Sequence, residues 1–250
     1  MNILVTAGNT AAPIDRVRCI TNIFTGKTGA SIALHAHERG HSVTLLTSRP
    51  EAVAELGYSI NHRQRWTVVR YSTFADLKDL MHQQVPAYGR LDAVVHCAAV
   101  SDYLPAGVYA PAAGTRFEVE QARWQSDSAP CPTLVDRAAG KVKSDEPELW
   151  LRMVRTPKLI DLVRTEWAFR GLLVKFKLEV GVTEEQLLEI AERSRRQSEA
   201  DLMVANTLEG ASEWALLGPI HGEYAKIART DLGVQLLAAV EQLYERRSHG

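Results

Sequence analysis

Apolar positions along the chain fall into short β-rich runs separated by stretches with helical spacing. Residues 2–6 (NILVT) are nearly continuous in apolar and β-branched side chains and end at Ala7-Gly8. That is the pattern of a parallel strand buried on both faces. Residues 26–39 place Ile32, Leu34 and Ala36 among small residues and stop at Gly40, which predicts a helix with a glycine end. Further strands are expected at 41–47 (HSVTLLT), 66–71 and 91–99 (LDAVVHCAA), with a helix at 74–84. This β-α-β alternation predicts an α/β fold with a doubly wound, mostly parallel Rossmann-like sheet.

From 104 to 140 the periodicity breaks into a Pro-, Ala- and Gly-rich stretch, too long for an ordinary connection and read as a lid or insertion. Alternation returns at 148–154. Thr156-Pro157 then opens a helix running to about 169, with Thr as cap and Pro in the first turn. A strand at 172–178, a helix at 183–197 and a strand at 201–205 follow. Residues 215–217 and 223–227 flank a glycine turn and predict a C-terminal hairpin, and 231–246 form the closing helix. The expectation is one domain over 1–250, with 104–140 as lid or dimerisation insertion. Ligands of such sheets bind beyond the carboxyl ends of the strands. Here those ends are residues 6–8, 98–102, 176–179 and 205–206, which predicts one shared site.

Charge and cysteine content narrow the function classes. The formal net charge is −1 and the pI about 6.7, without the basic excess of a nucleic-acid binder. Cys19, Cys97 and Cys131 are odd in number and form no CxxC pair, which fits free thiols in a reducing cytosol. The chain opens directly on a strand, and no apolar run approaches the roughly 20 residues of a membrane helix. A cytoplasmic protein with no nucleic-acid or membrane partner is expected. His35 and His37 lie two apart on a helix and share no face, so they make no metal pair, and the metal ligands stay unassigned.

The segment 21–33 (TNIFTGKTGASIA) carries Gly26-Lys27-Thr28, which looks like the end of a P-loop. A P-loop requires a glycine five positions before Gly26, and Thr21 stands there. A nicotinamide reductase is disfavoured too: GxGxxG is missing after the first strand, and no tyrosine has lysine four residues on.

The stretch TAGNTAAPIDRVRCITNIFTGKTG, between the first strand and first helix, resembles the signature of phosphopantothenate–cysteine ligase. Gly8, Thr10, Ile14-Asp15, Val17-Arg18, Ile20, Asn22, Thr25-Gly26 and Gly29 match that pattern, while Asn9 replaces a glycine and Phe24 a Ser or Thr. Further blocks follow in order: residues 98–103 (AAVSDY), Lys141-Val142-Lys143, Thr156-Pro157-Lys158-Leu159, Phe176-Lys177-Leu178-Glu179 and 201–206 (DLMVAN). The resemblance spans most of the chain and implies a stand-alone ligase of coenzyme A biosynthesis. Such an enzyme joins 4′-phosphopantothenate to L-cysteine through an acyl-nucleotide, with CTP or ATP and Mg²⁺, and the family is commonly dimeric. A non-catalytic binder of nucleotide or phosphopantothenate is the alternative.

The resemblance also implies roles. Asn22 is the key asparagine, an amide that can donate to a substrate or intermediate oxygen without adding charge. Lys141, with Lys143 near it, is the lid lysine that closes over the triphosphate. Gly8, Ala98, Asp102, Thr156, Pro157, Lys158, Leu159 and Phe176 fall at nucleotide-binding positions. Asp102 would accept from base or ribose, help hold Mg²⁺, or simply cap a strand end. Phe176 would stack on the base or pack in the core. Thr25, Gly26 and Lys177 are expected near substrate phosphate. Lys175 and Lys177 flank Phe176 and either add charge there or lie on a solvated strand edge. Arg193 and Gln197, one helical turn apart, stand about where the family has two lysines. Gln197 lacks the charge, which either weakens nucleotide binding or leaves Arg195 or Arg196 to substitute.

Overall fold

The computed structural model describes residues 1–57, 63–86, 90–127 and 129–248. In chain order, β1 (Asn2–Ala7) is followed by the short strands β2 (Ala11–Pro13) and β3 (Cys19–Thr21), then α1 (Lys27–Glu38) and β4 (Ser42–Thr47). Next come α2 (Glu51–Glu55), β5 (Trp66–Arg70), α3 (Phe74–Gln84) and β6 (Ala93–His96). The middle of the chain holds β7 (Tyr103–Pro111), β8 (Thr115–Glu118), β9 (Arg123–Ser126), β10 (Leu134–Asp136) and β11 (Trp150–Arg155). It ends with α4 (Leu159–Thr165), β12 (Leu172–Glu179), α5 (Glu184–Gln197), β13 (Leu202–Thr207), β14 (Trp214–Ile220), β15 (Glu223–Ala228) and α6 (Leu232–Ser248). Two compact units result, one of residues 1–10, 23–100 and 157–250, the other of residues 11–22 and 101–156.

The first unit is built on an eight-stranded sheet of order β15-β14-β13-β12-β6-β1-β4-β5. Its six strands from β13 to β5 are parallel, and β14 and β15 form the expected antiparallel hairpin. Strand alternation explains why helices cover both faces. Leu202 and Val204 join Ile3, Val5 and the helices α1 and α6 in one core. Met203 and Ala205 point the other way and pack on Leu187 and Ala191 of α5. From β1 the chain winds outward through β4 and β5, then returns on the other side of β1 to lay down β6. The order of winding therefore switches between β1 and β6.

Helix starts follow side-chain chemistry. Thr73 and Asp76 form a capping box on α3, and Thr183 and Gln186 form one on α5. The helix expected to open at Thr156-Pro157 begins instead at Leu159 and ends at Thr165, with Lys158 at its N-cap and no side-chain cap. Thr156 lies two residues before that N-cap, outside the helix start, and its hydroxyl donates to the Ser101 carbonyl at 2.8 Å.

In the second unit, β7 is the centre of a three-stranded antiparallel sheet of order β10-β7-β11. β8–β9 is a hairpin, and β2–β3 is a two-stranded ribbon. Residues 104–140, read from sequence as irregular, thus supply four strands. The prolines that hid β7 fall where only one neighbouring strand runs alongside. Pro105 pairs with β11 beyond the reach of β10, and Pro111 pairs with β10 beyond the reach of β11. Phe117, Trp124 and Trp150 make a small aromatic core, with Trp124 and Trp150 ring centres 4.6 Å apart.

Candidate active site

In the first unit, the carboxyl ends of β1 and β6 meet at the switch point, where open α/β sheets bind ligands. Three glycines let α1 start directly against β1. Gly8 has φ +89°, and a Cβ there would lie 2.2 Å from Ser48 Oγ. Gly26 is the N-cap of α1 at φ +78°, with room for a Cβ only 2.6 Å from the Gly8 nitrogen. At Gly29 a Cβ would come within 2.6 Å of the Ala7 Cβ. Asn9, which replaces a signature glycine, exchanges two 3.0 Å hydrogen bonds with Ser48. The Ala98 amide donates to Thr6 Oγ1 at 3.2 Å, the Ala99 amide to the Gly8 carbonyl at 2.8 Å, and the Thr10 amide to the Ala99 carbonyl at 3.3 Å. Gly8, Ala98, Thr25 and Gly26 are thereby gathered at this edge. Lys27 turns to α2 and pairs with Glu55 at 3.1 Å.

A second cluster of this unit lies among α4, β12 and α5. Phe176 is half-buried against the core of α1 and α6. Pro157 and Lys158 are exposed and Leu159 is buried. Lys175 is buried, contrary to the solvated-edge reading, because β12 is an interior strand and α5 covers that side chain. Its ammonium donates to the Ser194 carbonyl at 2.9 Å and to Ser198 Oγ. Burial pushes its pKa down to about 8, with Asp161 acting the other way. Ser198 donates to Asp161 Oδ1 at 2.5 Å, and Gln197 reaches Asp161 Oδ2 at 3.4 Å. Arg193 is exposed. Arg195 and Arg196 both bind Glu192, at 2.8 and 2.7 Å, and Lys177 pairs with Glu179 at 2.8 Å. His96, in register with Lys175 and 2.9 Å from Thr6 Oγ1, is pushed down to about 4 by burial and is neutral near pH 7.

The second unit holds Asn22, Asp102, Lys141 and Thr156. Asn22 is half-buried and directly follows β3. Asp102 is exposed, and its carbonyl accepts from the Thr156 amide at 2.9 Å. Lys141 and Lys143 are exposed on either side of the buried Val142. With Val17, Arg18, Ser144 and Asp145 they line an open cavity of about 480 Å³. Beneath it lies a cluster to which the sequence reading gave no role. The fully buried Asp15 carboxylate accepts from the Val17 and Arg18 amides, both at 2.8 Å, and from the Val142 amide at 3.0 Å. It also takes the Arg18 guanidinium at 2.7 and 3.1 Å, and Arg18 Nη2 donates to the Val142 carbonyl at 2.5 Å. These donors hold the Asp15 pKa far below the usual carboxylate range. The visible signal was an acid and an arginine three residues apart across a turn.

Among the described residues no three His, Cys, Asp or Glu side chains gather as a metal site. No helix among them is long and apolar enough to cross a membrane.

Residues 1–112 match the family described as DNA/pantothenate metabolism flavoprotein C-terminal domain. The coenzyme A biosynthesis bifunctional protein CoaBC of Thermococcus kodakarensis is 31% identical over 207 residues, covering 83% of this chain and 41% of that protein. Its namesake from Escherichia coli is 28% identical over 206 residues, covering 82% and 41%. This chain thus spans less than half the length of these curated relatives. A crystal structure of the DNA/pantothenate metabolism flavoprotein from Streptococcus pneumoniae superposes with TM-score 0.74 at 28% identity, covering 97% of this chain and 99% of that one. The C-terminal domain of a CoaBC protein superposes with TM-score 0.65 at 22% identity, a likeness of fold.

Proposed function

We propose that this chain, which resembles phosphopantothenate–cysteine ligase and matches the DNA/pantothenate metabolism flavoprotein C-terminal domain over residues 1–112, is such a ligase. The observation that carries the reading is the β1–α1 junction. The signature glycines Gly8, Gly26 and Gly29 stand where no side chain fits, at the switch point of the sheet.

The reaction has two steps. A carboxylate oxygen of 4′-phosphopantothenate attacks the α-phosphorus of CTP or ATP, and the P–O bond to pyrophosphate breaks. The amine of L-cysteine then attacks the activated carbonyl, forms the C–N bond, gives up a proton and expels the nucleoside monophosphate. Neither step needs a protein nucleophile, so catalysis is positioning and charge stabilisation. Asn22 donates its amide to the substrate or intermediate carbonyl oxygen. Lys141 neutralises charge on the triphosphate. Gly8, Thr25, Gly26 and Ala98 form the edge against which nucleotide and substrate phosphate lie. Asp102, Thr156, Pro157, Lys158, Leu159, Phe176, Lys177, Arg193 and Gln197 are the remaining contacts proposed from the resemblance. Asp102, an exposed carboxylate, would help hold Mg²⁺, which would supply charge neutralisation at the nucleotide phosphates. The enzyme works as a homodimer in the cytoplasm.

The test is pyrophosphate release by the purified protein with Mg²⁺, 4′-phosphopantothenate and L-cysteine, run with CTP and with ATP. Release should require phosphopantothenate and yield the cysteine conjugate, and Asn22→Ala and Lys141→Ala should each lower kcat about 100-fold or more. A folded protein that releases nothing with either nucleotide is instead a non-catalytic binder.

A further inference from the structure

Lys141 lies on a segment without regular secondary structure, yet its neighbour Val142 is almost completely buried, at 3% exposure. Something other than a strand or helix ladder must hold it. The Val142 peptide is gripped at both ends: its N–H donates to the Asp15 carboxylate, and its carbonyl accepts from Arg18. Two residues earlier the Arg16 amide donates to the Gly140 carbonyl at 3.1 Å. Asp15 and Arg18 are also fixed to each other by two guanidinium–carboxylate hydrogen bonds. Their own turn is closed by the Ile14 amide on the Arg18 carbonyl at 2.8 Å.

We propose that Asp15 is a positioning residue for the ligase reaction: with Arg18 it clamps the Val142 peptide and so sets where Lys141 and Lys143 project. Three features make the carboxylate the keystone. It joins both sides, accepting from its own turn and from Val142, and it also holds the Arg18 guanidinium that reaches the Val142 carbonyl. The Asp15 side chain has no exposed surface of its own, being covered by Arg18, and the bond it accepts from Val142 is the most sheltered of the set. Its negative charge strengthens every bond it accepts, including the one from Val142. An amide in its place would keep the size and lose the charge. It would also turn one of two acceptor oxygens into a donor facing N–H groups. The lysine segment is therefore a part held in place from below rather than a strap swinging from two ends.

The inference rests on the proposed reaction for its catalytic meaning, and its structural core can be read without turnover. In Asp15→Asn, hydrogen exchange at the Val142 amide should quicken by more than tenfold, while amides of β1 and β4 keep their rates. In the turnover assay, kcat should fall by tenfold or more with the KM for nucleotide within about twofold, because the lysines stay present but are no longer fixed. Asp15→Glu, which keeps the charge one methylene farther out, should restore part of both. An unchanged Val142 exchange rate in Asp15→Asn overturns the clamp. Faster exchange with unchanged kcat overturns the positioning role. If the natural chain converts no phosphopantothenate, the proposed reaction fails on its own, and the exchange measurement still decides whether Asp15 holds the segment.

Discussion

Lys175 shows how much one buried side chain depends on what covers it. Its ammonium is shielded by α5 and satisfied by Ser194 and Ser198. Asp161 and Lys158 on and before α4, Lys177 on β12 and His96 on β6 complete its charged surroundings. The unfolded chain holds this proton up to about pH 10.5, and the folded chain releases it near pH 8. Between those values the unfolded state binds more protons, so this group makes stability rise with pH; below pH 8 that contribution is gone. Relative to Lys175→Met, the natural chain should gain on the order of 2 kcal/mol of unfolding free energy across that window, allowing for screening. Denaturant titrations at pH 7.5 and 10.5 measure it; an equal difference at both values removes the effect. The sequence displayed Lys175 only as a charge beside Phe176, because which face of β12 a helix covers is decided far along the chain. Asp15 was visible as a motif match, but its partner Val142 is 127 residues away.

Most elements were legible because their periodicity and end signals agreed. The helix at 74–84 was placed residue for residue, and its capping box explains why. Several of the first unit's strands, β1, β4 and β13 among them, were nearly continuous apolar runs. The strands of the second unit were not, since β7 holds two prolines and a glycine, and its pairing partners lie up to some 50 residues downstream. The α4 start was misplaced because Thr156-Pro157 offered a cap and a first-turn proline, whereas the helix begins only at Leu159. The β1–α1 junction gives the test at this scale. Gly29→Ala improves intrinsic helix propensity by about 1 kcal/mol, yet puts a methyl group 2.6 Å from the Ala7 Cβ. The steric term should win, with a net loss of about 1–3 kcal/mol in denaturant unfolding. Gly140→Ala, where the nearest atom is 3.8 Å away, should change stability by less than about 0.5 kcal/mol. Equal effects at the two positions would remove the argument that the junction is packed to contact.

At the scale of the whole molecule, the chain divides its candidate machinery between two units. The glycine edge, Phe176 and the α4 start belong to one, and Asn22, Lys141, Asp102 and Thr156 to the other. A doubly wound sheet could be read from alternation alone; a second unit assembled from residues 11–22 and 101–156 could not, because its two pieces are joined only by contacts distant in the chain. That discontinuity has a kinetic consequence. Residues 11–22 are made early, but the partners they need, Gly140 and Val142 among them, emerge more than 110 residues later. Closing so long a loop is entropically costly and slow compared with forming local contacts. The β1–α1–β4 segment can therefore collapse first, with the Asp15 turn waiting on it as an unpaired hairpin. After dilution from denaturant, helical circular dichroism should recover before pyrophosphate release does, the lag marking the moment the two distant pieces find each other. Simultaneous recovery would mean that the second unit forms together with the first.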